Sequence, residues 1–218
     1  MMTTLKLTLI QKLLLLTCII MTTACSTAYY ATWEKLGKHK RDLLRDNVET
    51  AQEEQLEAQE QFKDALTRLK ELSHFDGGKL EKTYNALKDD YEECQEATEE
   101  ISDRINTIDE IANDLFTEWQ TEIELITNTK FQADSRKKLK QTRKKYTKLH
   151  KSMRQSEKRM QSVLVRFKDH VLYLKHNLNA QAIGGLEAEV GSIEMDVQKL
   201  IKDMQTSIRE ADSFINTL

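Results

Sequence analysis

A chain of 218 residues with no proline, six glycines and 32% charged side chains has the composition of long helices, because glycine and proline both weaken a helix interior. Apolar residues at 39% and aromatics at 6% suit narrow apolar stripes rather than one thick core, and their periodicity excludes disorder. The net charge of −3 argues against a nucleic-acid binder, yet it hides 23 acids against 7 Lys or Arg over 49–124 and 12 Lys or Arg against one acid over 136–159.

Residues 1–24 contain no acid, carry Lys6 and Lys12, and close on the apolar run LLLLTCIIMTTA. A positive start, a short apolar stretch and small residues before a cut describe a secretory signal peptide. The 12-residue run from Leu13 to Ala24 would be about 18 Å long as a helix, short of the ~30 Å bilayer core. Thr22, Thr23 and Ala24 before Cys25 resemble the lipobox of bacterial lipoproteins, with threonine where that motif usually carries Leu, Val or Ile. The resemblance implies cleavage before Cys25 and attachment of diacylglycerol to its thiol. Ser26, rather than aspartate, implies by the same resemblance the periplasmic side of the outer membrane. A periplasmic protein or an inner-membrane anchor is the alternative. With Cys18 removed and Cys25 acylated, Cys94 has no disulfide partner.

Helical periodicity then runs to the end of the chain. A first helix over about 29–73 is predicted from Trp33, Leu36, Leu43, Leu44, Val48, Ala51, Phe62, Ala65, Leu66, Leu69 and Leu72. It stops at HFDGG, residues 74–78, where Gly77 and Gly78 permit a reversal. The second, over about 79–127, has the most regular seam: Leu80, Tyr84, Leu87, Tyr91, Cys94, Thr98, Ile101, Ile105, Ile108, Ala112, Leu115, Trp119, Glu122 and Ile126. Twelve of these fourteen positions are apolar or aromatic, a coiled-coil spacing over more than six heptads.

TNTK at 127–130 predicts a second reversal. A third helix over about 131–180 uses Leu139, Tyr146, Leu149, Met153, Met160, Val163, Phe167, Val171, Leu174 and Leu178. Reversal there lays the basic segment beside Glu100, Asp103, Asp109, Glu110, Asp114, Glu118 and Glu122, so the charge asymmetry becomes complementarity across a hairpin. Gly184 and Gly185 predict a third turn, and Val190, Ile193, Val197, Leu200, Ile201, Met204, Ile208, Ala211, Phe214 and Ile215 a fourth helix over about 186–217. The expected fold is all-α: one domain, 25–218, of long antiparallel helices in an elongated coiled-coil-like four-helix bundle. A three-helix rod with the last two helices continuous is the other arrangement.

Sequence chemistry points away from catalysis. His39, His74, His150, His170 and His176 lack metal-ligand spacing, and no phosphate-cradling glycine loop or nucleophile motif is present. No enzyme, cofactor or metal is therefore expected. Acid doublets such as Asp89–Asp90 and Glu92–Glu93 read as a solvated face. The basic run has two readings. It can neutralise the second helix, or Arg136, Lys137, Lys140, Arg143, Lys144, Lys148, Lys151 and Arg154 can contact an anionic surface such as phospholipid or lipopolysaccharide. The polar cluster Asn177, Asn179 and Gln181 reads as capping at the third turn.

EKLGKHKRDLL at 34–44, DRI at 103–105, LFTEW at 115–119 and VLYLKHNLNAQAI at 171–183 resemble the bacterial domain of unknown function 2959 family, over about Tyr29 to Ile215. The resemblance implies an envelope lipoprotein or secreted protein of Gram-negative bacteria and supplies no catalytic residue. The expected function is a lipid-anchored, non-catalytic binding, spacer or scaffold module with an envelope protein partner, or a homo-oligomer, and no nucleic acid. A membrane-surface stress or remodelling protein using 136–159 is the alternative.

Overall fold

The computed structural model describes residues 39–73, 80–177 and 180–218; within 180–188, the side chain of Leu186 alone is described. Four helices follow in order: α1 Lys40–Ser73, α2 Leu80–Leu125, α3 Thr129–His176 and α4 Ala180–Ile215. The chain divides into two units, Met1–Leu43 and Leu44–Leu218. Of the first, only the opening turn of α1 is described: the amides of Asp42 and Leu43 donate to the His39 carbonyl. The leader, Cys25 and the HFDGG reversal lie outside the described residues.

Within Leu44–Leu218 each helix is antiparallel to its neighbours. Across α1 and α2, Glu54 meets Arg104 and Arg68 meets Asp90. Across α2 and α3, Glu124 meets Arg136 and Ser102 meets Glu157. Across α3 and α4, Lys145 donates to the Ser213 carbonyl and Arg166 meets Asp196. The ring closes where Gln52 of α1 donates to the Ile208 carbonyl and Lys70 meets Glu194 of α4. Helices α1 and α3 are thus diagonal, and Phe62 and Phe167 stack across the centre with ring centroids 6.2 Å apart. This is the four-helix arrangement; the three-helix rod is excluded by the break between His176 and Ala180.

The apolar periodicity places the core. Every described residue of the predicted first stripe is buried, from Leu43 to Leu72. In α2 the seam holds from Tyr84 to Leu115, apart from half-exposed Tyr91, and is broadened by Ile111 and Phe116. Past Leu115 it shifts by one residue: Ile123 is buried and Glu122 exposed. An undistorted 3.6-residue helix drifts about 20° per heptad against a strict 3.5 repeat, so a seam projected over six heptads ends one position off. In α3 and α4 the buried set includes Leu149, Met153, Met160, Phe167, Ile193, Leu200, Met204 and Phe214. Each such side chain removed from water contributes roughly 1.5–3 kcal/mol before the entropy of ordering is counted.

Two reversals have identifiable chemistry. Asn128 caps α3, its side-chain oxygen accepting from the amides of Lys130 and Phe131. Asn177 closes α3, with its amide donating to the Leu174 carbonyl at 3.1 Å and its side-chain Nδ2 to the Tyr173 carbonyl at 2.9 Å. The third turn is therefore earlier than Gly184 and Gly185 predict, and α4 begins at Ala180, not near 186. Both glycines lie inside the helix. Asparagine competes for backbone groups and ends the helix first, whereas interior glycine costs only about 1 kcal/mol.

Candidate functional site

The α2–α3 hairpin joins the most acidic and the most basic parts of the chain. Its hub is Asp109, half-buried on α2. Tyr146 donates its hydroxyl to one carboxylate oxygen, while Arg154 Nη2 and His150 Nε2 approach the other at 2.9 and 3.0 Å. Arg154 reaches on to Asn106 at 2.7 Å and to Glu157 at 3.1 Å. Glu157 is buried and accepts from Ser102 at 2.6 Å, which returns the network to α2.

Electrostatics act on Tyr146 and Arg154 in this network. Burial, and then the hydrogen bond to Asp109, push the Tyr146 phenol far above its usual range, so it remains a neutral donor. Burial draws the Arg154 guanidinium down, but hydrogen bonds and charge from Asp109 and Glu157 outweigh it and leave the group above its ordinary value. Tyr146 also packs edge-on to Phe116 at 5.5 Å and against Phe214 of α4 at 5.6 Å, tying three helices together.

The eight cations singled out in the sequence separate into two sets. Arg136 pairs with Glu124 at 3.0 Å, Arg143 donates to the Phe116 carbonyl at 3.0 Å beside the Phe116 ring, and Arg154 holds the network. Lys137, Lys140, Lys144, Lys148 and Lys151 are exposed, and no carboxylate among the described residues lies within ion-pairing distance of them. The hairpin complementarity is narrower than the acid count suggests. Asp103, Glu110, Asp114 and Glu122 form no ion pair to α3 among the described residues.

An open groove of about 560 Å³ runs between α2 and α3. Along its α2 wall Tyr91 donates to Gln95 at 3.0 Å and Gln95 to Glu99 at 3.0 Å, while Ser102 bonds across to Glu157 of α3, so these polar groups satisfy one another rather than converging on a point. Exposed Val165 and Lys168 line the α3 wall. Among the described residues no group of His, Cys, Asp or Glu has metal-binding geometry, and no helix is long and apolar enough to cross a membrane. His170 is buried, and burial first lowers its pKa, while Glu189 opposes the shift.

Three of the four sequence motifs have described positions, while residues 34–38 of EKLGKHKRDLL lie outside the described residues. In DRI, Arg104 bridges to α1, contacting Glu54 at 2.8 Å and Asn47 at 3.1 Å. In LFTEW, Phe116 receives Arg143 and Tyr146, and Trp119 donates to Ser135 at 2.9 Å. VLYLKHNLNAQAI spans the α3–α4 turn closed by Asn177. A family model described as "Protein of unknown function (DUF2959)" matches residues 29–218. The chain belongs to the DUF2959 family. No curated protein and no solved structure matches it. In this DUF2959 protein DRI and LFTEW thus sit at contacts between helices and VLYLKHNLNAQAI at one helix end.

Sequence reading missed Asp109 as a hub, Arg104 as a tie and Glu157 as a buried acid. A signal for the last two exists. Arg104 is the one Lys or Arg between Lys88 and Lys130, and Glu157 the one acid between Asp134 and Asp169. A lone charge inside a run of the opposite sign marks an inward-facing pair.

Cys94 is fully buried on α2. Burial first, then Asp90 and Glu93, hold its thiol far above the ordinary range, which suppresses the reactive thiolate. A thiol-reactive chromophore is expected to leave Cys94 unmodified in the native protein, with Cys18 and Cys25 replaced by serine. Modification should appear in urea at the unfolding midpoint.

Proposed function

We propose that this DUF2959 protein is a lipid-anchored, non-catalytic module of the bacterial envelope, working as a spacer or scaffold through surface contacts. The observation that carries the non-catalytic part is how the helices use their groups. Apolar stripes close on one another, and the polar groups of the α2–α3 groove are engaged by Tyr91–Gln95–Glu99 bonds along α2 and by Ser102 to Glu157 across it, so what faces outward is mainly charged surface. Helices of 46 and 48 residues extend about 70 Å, a reach suited to spanning or spacing.

The lipid anchor is supported by the sequence around Cys25. Two acyl chains on glycerol, with a third on the freed amine, exceed the two anchoring signals that stable attachment takes. Expression in a Gram-negative host with and without globomycin, followed by membrane fractionation and intact-mass measurement, tests it. Loss of residues 1–24, a mass gain matching diacylglycerol, and accumulation of precursor under globomycin are expected. An unmodified, wholly soluble product would remove the anchor, and the same result in untreated Cys25→Ala is the control.

A further inference from the structure

Helix α3 keeps its arginines and its lysines for different jobs. Arg136, Arg143 and Arg154 engage α2, and Arg159 and Arg166 engage Asp203 and Asp196 of α4. Lys137, Lys140, Lys144, Lys148, Lys151 and Lys158 are exposed and have no ion pair among the described residues. Their spacings of 3, 4, 4, 3 and 7 residues hold them on one helix face. Leu139, Leu149 and Met153 occupy the buried face opposite. We propose that these six lysines form a docking ridge for an anionic lipid surface.

Lysine chemistry favours a flat lipid surface over a second copy of this chain, although α2 carries exposed Glu92, Glu96, Glu99, Asp103 and Glu110 along one face, about 27 Å of helix. Twenty-one residues separate Lys137 from Lys158, so the ridge is about 32 Å long. The acidic groove between α1 and α2, lined by Glu54, Glu57, Glu93, Glu96 and Glu100, spans only residues 54–61 and 93–100, about 10 Å of helix. Its Glu54 is already held by Arg104 at 2.8 Å. That groove covers about a third of the ridge and the α2 row would have to match the lysines in register, whereas a phosphate-bearing plane meets all six ammonium groups in any register. Lysine suits diffuse phosphate as a point charge on a flexible stem, and the arginines are kept where a planar fork fits a fixed partner. The acidic groove opens away from the α3 face, so the same surface repels it and orients the bundle with α3 inward.

This inference extends the reading of a surface-contact module by naming the partner, and its test removes the anchor so that each can fail separately. The full chain carrying Cys25→Ser is floated with vesicles of phosphatidylcholine, with or without phosphatidylglycerol. Binding to the anionic vesicles is expected to exceed binding to neutral ones, and the excess to vanish between about 0.1 and 1 M salt as the Debye length falls from about 10 to about 3 Å. Replacing Lys137, Lys144, Lys148 and Lys151 by Gln should weaken the excess about fivefold per lysine, while replacement by Arg should retain it. Circular dichroism of both variants should match the parent, because these side chains form no ion pair or hydrogen bond among the described residues. Equal binding to both vesicle types, or an unchanged excess in the Gln variant, would overturn the proposal. So would salt-sensitive self-association lost in the Gln variant, which would make a second copy the occupant.

Discussion

Phe62→Ala is expected to destabilise the protein by about 3–5 kcal/mol, the cost of emptying an aromatic site in a close-packed core. Phe62 and Phe167 are fully buried and meet across the diagonal of the bundle. At roughly 2–4 °C per kcal/mol for a chain of this size, the melting temperature should fall by about 10 °C. Thermal and urea unfolding followed at 222 nm read this directly. Phe167→Ala should cost a similar amount, and the double variant less than the sum, since one cavity replaces two. Strict additivity would mean that the rings do not share a site.

Arg154→Ala is expected to cost about 2–4 kcal/mol. One guanidinium serves Asp109, Glu157 and Asn106, and its loss leaves buried Glu157 with Ser102 as its remaining partner. The lower end of that range reflects the partial exposure of Arg154 and Asp109, 33% and 23%. Arg154→Lys should recover only part, because a single ammonium cannot reach three acceptors in a plane. Lys144→Gln, one turn from the network but exposed, should stay within about 0.5 kcal/mol. Equal losses from the two sites would show that α3 contributes net charge rather than specific pairs. Chemical denaturation at neutral pH distinguishes these outcomes.

The helices were legible because their apolar period persists for about nine turns or more, long enough to outweigh any single misfit. Asn128 and the antiparallel hairpin beyond it followed from a break in that period together with opposed charge. What was not legible had local causes. The third turn was decided by Asn177, whose capping bonds compete with helix directly, while Gly184 and Gly185 only weaken it. Glu122 and Ile123 exchanged places because a small rotational drift accumulates over six heptads.

At the site, the run of cations was visible but its division was not. Whether a cation faces a neighbour depends on which side of α3 abuts α2 and α4, and one helix read alone does not contain that. Once both neighbours are placed, residue chemistry on α3 follows position: arginine where a carboxylate or carbonyl is fixed, lysine where the face is open, with Lys145 on the Ser213 carbonyl as the exception. Arg104 and Glu157, single charges within runs of opposite sign, are the feature that sequence reading could have used to find the inward side.

The most direct test of α3's outer face as the working surface is photocrosslinking in living cells. A photoreactive residue is placed at Lys144 or Lys148, and for comparison at Glu96 on the acidic groove, and the adducts are identified by mass spectrometry. Lipid-mass adducts from both α3 positions and none from Glu96 are expected. Adducts from Glu96 with none from α3, or adducts of α3 only to a second copy of the chain, would contradict it.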